Sequence, residues 1–133
     1  NKLSGILNGL DYTEYDPQKD VYLTNHYNKM NYKEGKALNK ARLQKDVSLP
    51  VDGDVFLIGM VSRMTDQKGF DLIAYIMDEL LSTERVQFVV AGTGETRYQD
   101  MLSYFAGKYP DKMKVSDIQS RWHIRFMLPV MHF

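Results

Sequence analysis

Apolar residues recur along the chain with two different spacings, and the alternation of these spacings predicts the order of strands and helices. Residues 56–61 (FLIGMV) and, apart from Gln87, residues 86–91 (VQFVVA) are apolar at successive positions, as in strands that are buried on both faces. The segment 69–81 between them has helical periodicity, because four of its large apolar residues share one face: Phe70, Ile73, Met77 and Leu80. Strand, crossover helix and strand at this separation predict a right-handed βαβ unit with parallel strands.

Three further segments extend this unit. Good helix formers fill residues 33–46, and Pro50 with the turn at 52–54 ends that helix before the first strand. A second amphipathic helix is predicted over 96–108, and a short third strand over 112–115. The pattern therefore predicts an α/β fold, with a Rossmann-like parallel sheet that carries helices on both faces.

The order of these elements divides the chain into three parts. Residues 1–32 are rich in turn formers and tyrosines with little hydrophobic periodicity, which indicates an extended segment rather than a packed domain. Residues 33–115 hold the predicted α/β domain. After Val115 the pattern breaks, so that residues 116–133 form a separate tail. Since the chain does not begin with methionine, we expect it to start inside a longer protein.

Composition argues against several classes of function. Lys and Arg together number 17, as do Asp and Glu, so no long-range basic field favours nucleic acid or an anionic membrane. No cysteine is available for a disulfide or a thiolate site, and the three histidines are far apart, so we expect no metal site. No apolar run approaches the ~20 residues that span a bilayer. We expect a soluble cytoplasmic protein whose recognition of anions is local.

Candidate chemistry lies where the first strand meets the following helix, in residues 61–71 (VSRMTDQKGFD). In a parallel α/β sheet, ligands bind beyond the carboxyl ends of the strands, where free helix N–H groups and the helix dipole favour an anion. Arg63 offers a planar fork and Lys68 a point charge, so both can converge on one diphosphate, although spacing alone also allows two solvated surface cations. The segment is not a Walker P-loop, since the Gly-x-x-x-x-Gly-Lys-Ser/Thr pattern is missing.

The second predicted strand also ends at candidate ligand-binding residues. Gly92, Thr93 and Gly94 separate that strand from the next helix, at a place where the lack of side chains lets a ligand approach the backbone. A Gly-x-Gly sequence is also common in simple turns, so this alternative stays open. Asp66 and Asp71 flank the cationic loop, and we interpret them as a turn or cap residue and a first-turn helix residue rather than as catalytic carboxylates.

Four stretches of the sequence resemble one family of enzymes. They are residues 5–11 (GILNGLD), 57–63 (LIGMVSR), 61–71 and 87–94 (QFVVAGTG). In the residues of these stretches, their order and their spacing, the chain resembles bacterial glycogen synthases and plant starch synthases. These are retaining glycosyltransferases with two Rossmann-like domains, the GT-B fold. The resemblance implies that residues 33–115 are a partial nucleotide-sugar-binding domain, an incomplete half of that fold. It also implies that residues 1–32 come from the region between the two domains.

The resemblance further implies a function. Such an enzyme transfers glucose from ADP-glucose to the non-reducing end of an α-1,4-glucan, with retention and without a metal or other cofactor. Arg63 and Lys68 would bind the donor diphosphate and stabilise its developing charge, and Gly92, Thr93 and Gly94 would line the nucleotide site. The glucan would bind through a domain that precedes this chain, and a Glu-Pro-Cys-Gly segment would follow it, so we expect the chain alone to be inactive. Two alternatives stay open: another GT-B transferase, such as a sucrose synthase-like enzyme, and a non-catalytic nucleotide-binding fragment.

The tail carries a different kind of signal. Residues 122–133 (WHIRFMLPVMHF), back-translated with suitable codons and read in a shifted frame, permit the sequence AHKIYASCDAF. That sequence is very close to the AHxIYAxxDxF run that the resemblance leads us to expect at this point. We therefore predict that residues 116–133 are a frameshifted, non-native translation; the alternative is a native hydrophobic strand or interface segment.

Overall fold

The computed structural model describes residues 4–9, 11–13 and 15–116. Its helices and strands follow each other in this order: α1 Tyr32–Asp46, β1 Phe56–Val61, a 3-10 turn Asp66–Lys68, α2 Phe70–Thr83, β2 Val86–Ala91, α3 Thr96–Lys108 and β3 Met113–Ser116. Of the helices in this part of the chain, none has the length and apolar character needed to cross a bilayer. The frameshift hypothesis concerns residues 116–133, which lie outside the described residues except for Ser116, so it stays a prediction.

The three strands form one parallel sheet in the order β1-β2-β3. β1 pairs with β2 along its whole length, from Phe56 opposite Val86 to Val61 opposite Ala91. β2 in turn pairs with β3, also in parallel. The predicted βαβ unit and its Rossmann-like parallel sheet are confirmed, and both strands of that unit have the predicted bounds.

The crossover helix differs slightly from the pattern. It was expected over 69–81, but it begins one residue later because Gly69 has a φ of 72°, a left-handed conformation that does not belong to an α-helix. It continues to Thr83, and the side chain of Lys112 donates to the carbonyl of Leu81 at 2.7 Å. That bond satisfies one of the carbonyl groups that the end of a helix leaves without an intrahelical donor. β3 begins directly after Lys112, one residue later than expected.

Both faces of the sheet are covered by helices, as predicted. On one face, Phe88 and Val90 of β2 pack into a core formed with α2 and α3. On the other face, Val89 and Ala91 pack with Leu43 of α1. β2 is therefore buried at every position, whereas β1 is only half-buried along most of its length.

The segment before α1 has no helix or strand between residues 15 and 31, yet part of it packs against α1. Leu23 and Tyr27 are buried, and the side chain of Tyr27 occupies the space that a Cβ on Gly35 would need. The buried side chain of Asn39 donates to the carbonyl of Asn25 at 2.7 Å and accepts a hydrogen bond from the Asn25 N–H at 3.2 Å. Packing and paired hydrogen bonds thus fix this irregular segment to the domain.

A buried polar network ties α1 to the sheet. The Gln44 side chain is fully buried; it donates to the side chain of Gln87 at 2.7 Å and to the carbonyl of Asp52 at 3.0 Å, and it accepts from the Asp52 N–H at 3.2 Å. The Gln87 amide group donates to the carbonyl of Pro50 at 2.8 Å. Within the described residues, every buried side-chain nitrogen and oxygen has a partner. Removing one member therefore leaves others buried without a hydrogen bond.

We expect Gln44→Met to lower the free energy of unfolding by about 1–3 kcal/mol, because methionine keeps the volume but leaves groups of Gln87 and Asp52 unpaired. Urea unfolding followed by circular dichroism measures this difference. The matched control is Gln18→Met at an exposed position, which should change stability by less than about 0.5 kcal/mol. Equal stability of the two variants would show that the network is not needed.

Candidate functional site

The loops that follow β1 and β2 are joined to each other at the carboxyl edge of the sheet. Met64 and Gly94 form an isolated parallel bridge beyond the ends of the two strands. The Met64 N–H donates to the carbonyl of Thr93 at 2.9 Å, and the Glu95 N–H donates to the carbonyl of Met64 at 2.9 Å. The side chain of Met64 is fully buried. The two loops thus continue the pairing of the strands and present one connected surface.

The close approach of these loops explains the two glycines of the second loop. A Cβ on Gly92 would lie 2.0 Å from the carbonyl oxygen of Ser62, and one on Gly94 would lie 2.2 Å from the carbonyl oxygen of Met64. Both contacts are with backbone atoms, which cannot rotate away as a flexible side chain can. The structure therefore requires glycine here for contact between the loops, while the predicted contact of Gly92, Thr93 and Gly94 with a nucleotide stays a prediction.

Arg63 and Lys68 both lie in the β1–α2 loop, and both are exposed. Arg63 follows the end of β1 closely, and Lys68 is the last residue of the 3-10 turn. In the part of the chain that the structure describes, neither side chain has a hydrogen-bond or ion-pair partner, whereas Arg42 and Arg85 each pair with an aspartate at 2.8 Å. Two unpaired cations at one edge of the sheet are available to an external anion. Their role as phosphate ligands stays a prediction.

The N-terminus of α2 adds to the positive potential of this loop. Its N-cap is Gly69, which has no side chain to bond the first N–H groups. The first helical bond runs from the Ile73 N–H to the Gly69 carbonyl at 3.1 Å, so the N–H groups before Ile73 are not used within the helix. These groups carry the positive end of the helix dipole, where Asp71 lies in the first turn as interpreted from the sequence.

Of the two roles predicted for Asp66, turn residue or cap residue, the structure confirms the first, because Asp66 is the first residue of the 3-10 turn, and not the second. No side-chain capping bond is present at the 3-10 turn, and the Asp66 carboxylate instead reaches across to the start of α3. There it accepts hydrogen bonds from the Tyr98 hydroxyl and from the Arg97 guanidinium, the latter at 2.5 Å. Arg97 also contacts Glu95 at 2.8 Å and lies over the ring of Tyr98, 4.7 Å from its centroid.

These hydrogen bonds favour the ionised form of the Asp66 carboxyl group and the protonated form of the Tyr98 hydroxyl. The hydrogen bond from Tyr98, followed by that from Arg97, lowers the pKa of Asp66 below its usual range. The hydrogen bond to Asp66 raises the pKa of Tyr98 to about 12. The carboxylate is therefore ionised and the phenol protonated throughout the neutral range. Sequence reasoning missed Arg97 and Tyr98, although the adjacent cation and tyrosine at the start of a predicted helix were a visible signal.

The described residues contain no group of three or more His, Cys, Asp or Glu side chains that could hold a metal ion. The expectation that transfer needs no metal or other cofactor is a separate matter of chemistry, and it stays a prediction.

We expect Gly94→Ala to lower the free energy of unfolding by about 1–3 kcal/mol or more, because the new methyl group would collide with the Met64 backbone. Gly107→Ala is the matched control: a Cβ there meets nothing within 4 Å, and alanine favours the helix by about 0.8–1.0 kcal/mol over glycine. The two substitutions should therefore shift the urea midpoint in opposite directions. A neutral Gly94→Ala would mean that the loops do not approach as described.

Comparison with known proteins identifies relatives over most of this chain. No family model matches it. The glycogen synthase of Lachnospira eligens is 50% identical over 116 residues, which are 87% of this chain and 24% of the relative. The glycogen synthase of Streptococcus agalactiae is 47% identical over 115 residues, or 86% of this chain and 24% of the relative. The chain thus spans about a quarter of the length of these relatives.

A solved structure agrees with these relatives. The catalytic domain of starch synthase IV from Arabidopsis thaliana, bound to ADP and acarbose, superposes with a TM-score of 0.81 at 25% sequence identity. The match covers 94% of this chain and 26% of that one. The partial fold is therefore that of a GT-B catalytic domain. With this fold and with half of its residues shared over 116 positions, the chain is a homologue of part of the bacterial glycogen synthases, and its fold matches part of a starch synthase catalytic domain.

Proposed function

We propose that this chain supplies part of the donor site of an enzyme that transfers glucose from ADP-glucose to the non-reducing end of an α-1,4-glucan with retention. The relatives named glycogen synthase support this reaction, and the starch synthase that shares the fold was solved with ADP and acarbose. The glucan binds through residues outside this chain. The absence of cysteine suits a cytoplasmic location, where disulfides are rare.

One observation carries the proposal: two exposed cations that have no carboxylate partner among the described residues follow the carboxyl end of β1. Arg63 binds phosphate oxygens through its planar fork, and Lys68 contributes a compact charge from the turn before α2. As the bond to glucose breaks, negative charge grows on the departing diphosphate. Fixed cations that face this charge lower the barrier, because they are stronger partners of the transition state than of the ground state.

The neighbouring cation Arg97 differs from Arg63 and Lys68, because it has carboxylate partners. Among the described residues, Arg97 is a further cation at this edge, and it is bound to both Asp66 and Glu95. Its charge is therefore more than matched by these two carboxylates. The exposed Thr93 and Gly94 form the adjacent loop, and we assign to them and to the Gly92 backbone the contact with the nucleotide.

In the full-length enzyme, Arg63→Ala and Lys68→Ala should each reduce kcat/KM for ADP-glucose by roughly ten- to a hundredfold. A charge-assisted contact contributes about 1.5–3 kcal/mol, and each 1.36 kcal/mol corresponds to a factor of ten. Lys68→Arg should restore only part of the loss, since a fork does not fit the site of a point charge without rearrangement. Initial rates of glucan elongation at varied ADP-glucose concentration give these values.

The control for these variants is Lys45→Ala, which removes an exposed cation from the last turn of α1. Its neighbour Gln44 bonds Gln87, the second residue of β2, so Lys45 lies toward the amino end of the sheet, away from the candidate site. Wild-type kcat/KM in both site variants would refute the phosphate role. Faster transfer from UDP-glucose would indicate another GT-B transferase, and nucleotide binding without transfer would indicate a non-catalytic protein.

The isolated 133-residue chain should not elongate glucan, because a cleft between two domains aligns donor with acceptor and excludes water. Incubation of the purified chain with ADP-glucose and glycogen tests this, with the full-length enzyme as the positive control. Release of ADP in step with glucan growth would show that this chain contains everything the reaction needs.

A further inference from the structure

Helix α3 carries two adjacent pairs of a cation and a tyrosine, one at each end. Arg97 and Tyr98 stand at its start, and Lys108 and Tyr109 at its finish. In each pair the cation lies over the ring of its neighbour, 4.7 Å from the centroid of Tyr98 and 5.3 Å from that of Tyr109. The two pairs are chemically alike, so a difference in the structural elements that they bind indicates a difference in their roles.

The pair at the end of α3 holds a helix. Lys108 donates to the Asp78 carboxylate at 2.5 Å, and the Tyr109 hydroxyl donates to the same oxygen at 2.9 Å. Asp78 belongs to α2, a regular helix that has its own backbone hydrogen bonds. This contact therefore fastens two helices to each other near the amino edge of the sheet, away from Arg63.

The pair at the start of α3 holds a loop. Its partner is Asp66, the first residue of the 3-10 turn that ends at Lys68. Tyr98 is 5% exposed, and its ring centroid lies 5.4 Å from that of Phe70, the first residue of α2. The hydroxyl and the ring of Tyr98 thus contact the two residues that enclose Gln67, Lys68 and Gly69. One side chain fixes both ends of the short segment that carries Lys68.

The turn needs such support because its own bonds are few. The Lys68 N–H donates to the Thr65 carbonyl at 3.0 Å, and the Gly69 N–H donates to the Asp66 carbonyl at 3.0 Å. A 3-10 turn of three residues has poorer hydrogen-bond geometry than an α-helix, and Gly69 at its end is conformationally permissive. The Lys68 side chain has no partner among the described residues that would hold it in place. Its position therefore depends on how the turn is anchored.

We propose that Tyr98 is a positioning residue for the donor diphosphate, because its hydroxyl on Asp66 and its ring on Phe70 fix the turn that presents Lys68. The inference rests on the proposed function, in which Lys68 binds the diphosphate. In this role Tyr98 does not need to contact the substrate. It acts through Lys68, and its contribution exists only while that lysine is present.

The test compares Tyr98→Phe with Tyr109→Phe in the full-length enzyme. Each substitution removes one hydroxyl from one cation–tyrosine pair and keeps the ring, so the variants remove the same group at opposite ends of α3. Tyr98→Phe should reduce kcat/KM for ADP-glucose by roughly five- to twentyfold, the size of a typical coupling between sites, while Tyr109→Phe should retain wild-type kcat/KM. Urea unfolding of both variants reports whether either change is one of general stability.

A double-mutant cycle with Lys68→Ala separates positioning from a general structural role. If Tyr98 acts through Lys68, Tyr98→Phe should cost less than about twofold in the Lys68→Ala background. A conservative change at the partner gives a second measurement: Asp66→Asn keeps an oxygen that accepts from Tyr98 and should retain more kcat/KM than Asp66→Ala, which keeps none.

The possible results are distinct. A full, undiminished effect of Tyr98→Phe in the Lys68→Ala background, or an equal loss in Tyr109→Phe, would overturn the inference in favour of general packing. A loss in Lys68→Ala with none in Tyr98→Phe would overturn the inference and leave the proposed function intact. Wild-type kcat/KM in Lys68→Ala itself would overturn the phosphate role, and the inference with it.

Discussion

Strand β2 is buried at every position, and a strand in this situation needs neighbours on both edges and apolar cover on both faces. β1 and β3 supply the edges through parallel pairing. Parallel strands cannot be joined by a tight turn, so each connection becomes a crossover helix, which then covers one face. α2 and α3 cover the face of Phe88 and Val90, and α1 covers the other. The alternation of elements along the chain is thus a consequence of one buried strand.

The same constraint creates the candidate site. Since all strands run in one direction, the loops after β1 and β2 emerge at one edge of the sheet, where they continue the pairing of the strands through Met64 and Gly94. Once the loops are in backbone contact, only glycine fits at 92 and 94, and the cationic loop is fixed beside its neighbour. The Asp66 contact with Tyr98 adds a side-chain bond to this backbone pairing. The loop that carries Arg63 and Lys68 is therefore bonded to its neighbour through both backbone and side-chain hydrogen bonds.

Sequence patterns predict the features that depend on local periodicity. The strands over 56–61 and 86–91 were predictable because a short, largely apolar run indicates a strand that is buried on both faces. The bounds of α2 were predicted to within two residues at either end. The patterns could not predict why Gly92 and Gly94 are glycines, since the reason is the backbone of another loop. Nor could they predict that Gln44 is buried, because glutamine in a helix resembles a surface residue until its partners 8 and 43 positions away are in place.

The unequal burial of β1 and β2 bears on where a ligand would sit. β1 is apolar on both faces, as a central strand should be, but it is half-exposed, and among the described residues no strand pairs with its outer edge. In doubly wound folds with the strand order 3-2-1-4-5-6, that edge receives the fourth strand, and ligands bind at the point where the order reverses. If β1, β2 and β3 correspond to strands 1, 2 and 3 of that order, β1 lies next to the reversal, and the loop with Arg63 and Lys68 leaves from its carboxyl end. Arg63 and Lys68 therefore follow the strand whose outer edge is unpaired among the described residues, which is the place where a fold of that order would put its ligand, and this placement agrees with the proposed contact between the two cations and a diphosphate.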